Sequence, residues 1–205
     1  MDHEIKTKPV LFFKKTNPPV FIASVIIMLV FILAVTLFTS PAKSFFDAVQ
    51  SIIVKNFSWV FTVSSILFLV FVLFILFSRY GRIRLGQPDE KPEFGYTSWF
   101  AMMFSAGMGI GLVFWSIAEP IKHYKHPPIA GSQMFAPIDQ AVAITYFHWG
   151  LHAWAIYMVV GLSLAYFSFR KAMPLTIRSC FYPLLGRKIY GRWGHCIDTF
   201  AVVGT

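Results

Sequence analysis

The sequence predicts an all-α, polytopic membrane protein, and three observations carry that prediction. Hydrophobic residues make up 57% of the 205 positions and charged residues only 13%, where a soluble domain averages about 25% charged. The apolar residues fall in long uninterrupted runs separated by polar connections. The 18 Lys and Arg residues, set against 9 Asp and Glu, lie almost wholly in alternate connections.

Residues 1–19 form a polar tail with Lys6, Lys8, Lys14, Lys15 and Pro18-Pro19. No signal-peptide pattern is present, because the first apolar run is too long and lacks a small-residue cleavage site. Val20–Ser40 holds 21 uncharged residues. At 1.5 Å per residue they reach about 31 Å, the thickness of a bilayer core. Residues 41–57 read as a connection whose Phe45, Phe46, Val49 and Ile52-Ile53 lie at the membrane surface. Ser58–Phe77 is the second span, which makes 20–77 a pair of transmembrane helices. Residues 78–96 form a basic loop with Arg79, Arg82, Arg84 and Lys91.

Thr97–Ile117 is the third span, and it is unusual. Gly107, Gly109 and Gly111 stand at alternate positions in Phe104-Ser-Ala-Gly-Met-Gly-Ile-Gly-Leu112. Glycine inside a helix costs about 1 kcal/mol relative to alanine, so the span is weak where a plain anchor would be stiff. Irregular backbone at membrane depth is tolerated only where protein or a watery cavity satisfies it, and transporter binding sites are built from such breaks. Plainer readings compete: Gly107 and Gly111 form a GxxxG pair that lets another helix approach, and Met108 and Phe114 suit packing. A dinucleotide loop is excluded, since Leu112 replaces the last glycine of GxGxxG and no strand precedes it.

Residues 118–137 are proline-rich and read as loop plus a short surface segment. The fourth span lies within 139–169, with Asp139 as an N-terminal acid. Trp149, Trp154 and Tyr157 crowd into it. Trp149 and Tyr157 are eight apart, about two helical turns, and so share a face. Stacked aromatic faces hold a quaternary ammonium by cation–π attraction, about 2 kcal/mol when desolvated; an aromatic belt is the competing explanation. His148 and His152 have metal-ligand spacing but no third ligand, which fits hydrogen-bonded packing histidines better. Residues 170–195 are a basic loop. Its Cys180, and Cys196 just beyond it, suggest neither a disulfide framework nor a metal site.

Four basic residues in 1–19, four in 78–96 and six in 170–197 make fourteen on one side, against Lys43, Lys55, Lys122 and Lys125 on the other. This asymmetry predicts a cytoplasmic N-terminus and accounts for the net charge of +9 without nucleic acid as a partner. No charged residue lies mid-span, and a proton relay needs an intramembrane acid. From Ile197 a fifth run begins with nine residues to Thr205, under half a crossing. The expectation is an N-terminal piece of a longer protein.

Phe104-Ser-Ala-Gly-Met-Gly-Ile-Gly-Leu112 with Ala118-Glu-Pro120, then Phe147-His-Trp-Gly-Leu-His-Ala-Trp-Ala-Ile-Tyr157, then Tyr182-Pro-Leu-Leu-Gly186 and Tyr190-Gly191, resemble the betaine/choline/carnitine transporter family. The similarity runs from about Thr97 to the end. It implies the N-terminal part of a twelve-helix transporter with leucine-transporter-like inverted repeats, commonly a homotrimer in the cell membrane. Residues 20–77 would then be peripheral, and 97–205 would begin the first repeat with a broken third helix.

By the same resemblance Ala106, Gly107, Met108 and Gly109 border the substrate, and Trp149 and Tyr157 face its pathway. Ser105 and Met108 offer carbonyls to a sodium ion, and Thr205 matches a hydroxyl at a second sodium site. Ala153 departs from a proline common in the family and should straighten the helix locally. Gly111 stands where proton-coupled choline carriers place an acid, which favours sodium as the coupling ion. The implied function is sodium-coupled symport of a quaternary ammonium osmolyte such as glycine betaine, with no enzymatic activity and no cofactor. The alternatives are a proton-coupled choline carrier, an exchange-type carnitine carrier, or a truncated non-transporting fragment.

Overall fold

A computed structural model describes residues 5, 7–10, 13–107, 109–127 and 136–205. The described chain is helical apart from a short antiparallel ribbon of β1, Lys8–Val10, and β2, Phe13–Thr16, in which Lys8 faces Thr16. Helix α1 runs Pro18–Leu37 and α2 runs Thr39–Phe77. Both prolines at the start of α1 fall in the first turn, where a missing N–H removes no helical bond.

The sequence places a connection at 41–57, but these residues are the first half of the 39-residue α2. Pro41 lies in its first turn, and Lys43 and Asp47 pair at 2.6 Å across one turn. The charges that suggested a loop are thus a helical i, i+4 pair.

Helix α1 is apolar all round, and most of its large side chains, from Ile22 to Leu33, are exposed in the isolated chain. Those of α2 are likewise exposed to Phe77. So much contiguous apolar surface requires lipid or protein around it. Three helical stretches are long and apolar enough to cross a bilayer: Pro18–Leu37, Thr39–Phe77 and Pro137–Arg170. A pair bent by 41°, α3 (Tyr96–Gly107) and α4 (Ile110–Lys125), has the length and composition of a fourth when its two helices are taken together. The protein is a multi-pass membrane protein.

Helix α4 reaches Lys125, so 118–125 is helix and not the loop expected there. The Pro137–Arg170 stretch consists of α5, Pro137–His148, α6, Leu151–Ala165, and a widened π turn, Tyr166–Arg170.

The chain divides into two compact units. One comprises Met1–Ser64, Arg82–Gln87 and Val159–Thr205. In it α1 packs on the last helix, α9 (Arg192–Gly204), and the Phe31 and Phe46 rings meet edge-on at 5.8 Å. The short helices α7, Ile177–Cys180, and α8, Tyr182–Leu185, lie between. Gly186 ends α8 at φ 54°, a left-handed value that favours glycine. The centre of this unit is Arg178, fully buried, whose Nε donates to Asp198 Oδ2 at 2.7 Å. The second unit comprises Ser65–Gly81 and Pro88–Met158, and within it α4 packs against α5.

Candidate functional site

The second unit contains two helix interruptions. The first lies between α3 and α4, whose axes are inclined by 41°. Gly109 is extended, with φ −67° and ψ 172°, and its carbonyl accepts the Val113 N–H at 3.2 Å. No side chain caps α4, so the N–H groups of its first turn are left for solvent or a ligand. Ser105, Ala106, Gly109 and Gly111 are exposed and Gly107 is half-buried. Met108 lies outside the described residues. A Cβ at Gly109 or Gly111 would meet nothing within 4 Å. Within the described chain, therefore, no neighbouring helix presses on these two glycines, and close helix packing does not account for them here.

The second interruption separates α5 from α6 at Trp149-Gly150. A Cβ on Gly150 would sit 2.7 Å from the Tyr146 carbonyl, so this turn admits only glycine. The helix through Ala153 is continuous; the irregularity lies three residues upstream. Counting two turns from Trp149 to Tyr157 therefore fails, because the break falls between them.

Contacts order the aromatic residues instead. Trp154 and Tyr157 lie with ring centroids 5.9 Å apart, and Tyr157 is 73% exposed. The Trp154 indole N–H donates to the Trp149 carbonyl at 3.0 Å. The ring of Trp154 also reaches Gly107, coming 3.6 Å from where a Cβ there would stand. The last residue of α3 and the aromatic stretch of α6 thus touch at Trp154, a residue that spacing alone did not single out as a site.

Glu119 was also missed. Its motif drew notice, but the acid itself received no role. It is 5% exposed. Oε2 accepts the Trp149 indole N–H at 2.8 Å, and Oε1 pairs with His148 Nδ1 at 2.8 Å and His123 Nε2 at 3.4 Å. A buried carboxylate is stable only with such donors. A signal did exist, since Glu119 is the sole acid between Glu93 and Asp139. Its two shortest contacts, however, are with residues 29 and 30 positions away in the chain, and only His123 is near, at four. His148 is hence a hydrogen-bonded histidine, and His152 lies against Phe147 with ring centroids 4.7 Å apart.

Two cavities flank this contact. One, of about 380 Å³, is lined by Trp115, Glu119, Lys122, His123, His148 and Trp149. The other, of about 520 Å³, is bordered by Ser116, Thr145, Tyr146, Trp149 and Gly150 among others. Trp149 lines both. Thr205 closes α9, and its hydroxyl donates to the Ala201 carbonyl at 2.9 Å.

Comparison with known proteins gives these features a context. Residues 19–205 match the model of the BCCT, betaine/carnitine/choline family transporters. The chain is 44% identical over 193 residues to the glycine betaine transporter of Acinetobacter baylyi, an alignment covering 94% of this chain and 29% of that protein. It is 46% identical over 191 residues to the osmo-dependent choline transporter of the same organism, covering 93% and 28%. To the high-affinity choline transport protein of Escherichia coli it is 42% identical over 191 residues, with the same coverage. The chain spans 28–29% of the length of these curated relatives. A match over nearly its whole length, together with a glycine-broken helix beside clustered tryptophans, places the chain in the betaine/carnitine/choline transporter family.

Proposed function

We propose that this chain forms the N-terminal part of a secondary transporter that moves a quaternary ammonium solute, glycine betaine foremost, by sodium-coupled symport. The observation that carries the reading is the position of the Trp154 ring beside Gly107, where α3 ends at the break. It brings together the two chemistries that a betaine needs. Uncapped N–H groups at the start of α4 suit a carboxylate, and the faces of Trp154, Tyr157 and Trp149 suit a trimethylammonium group. Ser105 and Met108 would lend carbonyls to sodium, and Thr205 a hydroxyl at a second ion. Gly111 supplies no titratable group, so neutral oxygens would hold the driving cation, which suits a hard ion. The basic residues of 1–19, 78–96 and 170–197 support a cytoplasmic N-terminus, and a homotrimer is the expected assembly.

A second reading is proton-coupled choline uptake. Two relatives are named for choline, and the buried carboxylate of Glu119 is the kind of group that exchanges a proton inside a membrane. Uptake of labelled glycine betaine and choline into proteoliposomes carrying the complete polypeptide separates the two. Accumulation that follows an imposed sodium gradient supports the first reading. Accumulation driven by a proton gradient in sodium-free buffer rejects it. Gly111→Asp is expected to reduce sodium dependence.

A further inference from the structure

The most constrained polar contact in the second unit joins Glu119 to Trp149. The indole N–H can only donate, so its 2.8 Å bond to Oε2 has one sense. Trp149 is the residue at which α5 stops. Its side chain is fixed to α4 through Glu119, and its carbonyl is fixed to Trp154, which in turn rests on Gly107. A continuous set of contacts therefore runs from α4 through the α5–α6 break to the end of α3. The Trp149 ring also borders both cavities, so its rotation changes the walls of each.

We propose that Glu119 is a positioning residue for substrate recognition. Its carboxylate holds the Trp149 indole in one orientation and thereby keeps the two helix breaks in register. It acts through Trp149 and does not itself touch the solute. His148 and His123 occupy Oε1 and leave Oε2 for the indole. Asp at this position is one methylene short, and Gln keeps an acceptor oxygen without the charge. The inference rests on the aromatic residues taking part in solute binding, as proposed above.

The test has two independent readouts. The first is the Trp149 Nε1–H resonance of the 205-residue chain in lipid nanodiscs, assigned with Trp149→Phe. In the parent it should be shifted downfield and slow to exchange with solvent. Glu119→Ala should move it upfield and open it to exchange, while Glu119→Gln, whose side chain is nearly isosteric, should leave an intermediate shift. An unchanged resonance in Glu119→Ala overturns the proposal.

The second readout is binding of glycine betaine to the complete polypeptide. Glu119→Ala and Trp149→Phe should each weaken it about tenfold, the size of one lost charge-assisted hydrogen bond. The double variant should be no weaker than either single one. Independent, multiplying losses overturn the positioning role. If the parent itself does not bind glycine betaine, the transport reading fails, and the resonance still decides whether Glu119 holds Trp149.

Discussion

Among the described residues, one compact unit buries the Arg178–Asp198 pair and the other buries Glu119, and the two sites are satisfied in opposite ways. Arg178 is fully enclosed and meets a formal counter-charge: Asp198 takes its backbone N–H at 3.1 Å and its Nε at 2.7 Å. Ile189 lends a carbonyl at 3.3 Å, and His195 Nδ1 lies at 3.3 Å. Glu119 has no Lys or Arg partner among the described ion pairs. Its donors are an indole and two imidazoles, and a cavity opens beside it. A closed ion pair stitches short helices together. A carboxylate at a cavity wall instead fixes an indole and two imidazoles that border open space, which is what a binding site requires.

The largest expected effect comes from breaking the closed pair. Asp198→Ala strands the Arg178 guanidinium in the interior and should cost about 3–5 kcal/mol of stability. Glu119→Ala removes the acceptor and leaves donors that can turn toward a cavity, so about 1–3 kcal/mol is expected. Denaturation midpoints of the two variants in the same detergent measure the difference. Equal losses would erase the distinction between a structural and a functional buried charge.

Glycines sharpen the same contrast. A Cβ on Gly194 would run into the Ile189 carbonyl that Arg178 Nη1 uses. Gly194→Ala should therefore destabilise the first unit by about 1–3 kcal/mol through overpacking. Gly109 has open space around its Cβ position, so Gly109→Ala should stay within about 0.5 kcal/mol of the parent. Gly109→Leu should leave membrane insertion intact yet abolish uptake by the complete polypeptide, because the side chain enters the space at the break. Normal uptake by Gly109→Leu would remove this glycine from the site.

What the sequence disclosed follows from the range of the physics involved. Composition and run length are local, and they predicted spanning helices that are present. The weakness of the glycine-rich third span is also local, and the helix is interrupted there. Charges misled where helical spacing neutralised them: Lys43 and Asp47 suggested a connection and instead pair along α2. Glu119 next to Pro120 suggested a loop, but Pro120 is tolerated inside α4 and the acid turns inward. The Trp149-Gly150 break has no proline to announce it. There the backbone at Gly150 passes close to the Tyr146 carbonyl, an approach visible only once the chain is folded. The His148 and Trp149 partners of Glu119 and the Asp198 partner of Arg178 come from other helices, and no short window along the chain contains both ends of these contacts.

The smallest expected effect concerns His195, at the edge of the closed cluster. Burial pushes its imidazole below the usual range, the Arg178 guanidinium lowers it further, and Asp198 opposes the shift. The folded chain therefore releases this proton more readily than the unfolded chain does. The associated stability is fully present above the ordinary imidazole value of about 6.5 and is lost as pH falls through the lower folded value. Protonation sets a second cation beside Arg178 and disturbs the 3.4 Å contact of Nδ1 with Asn17, the residue preceding α1. Unfolding midpoints of the parent should decline between pH 6.5 and the acid range, with a shallower decline in His195→Gln. If both proteins lose stability in parallel, His195 does not carry this pH dependence, and the closed cluster is insensitive to the one titrating imidazole at its edge.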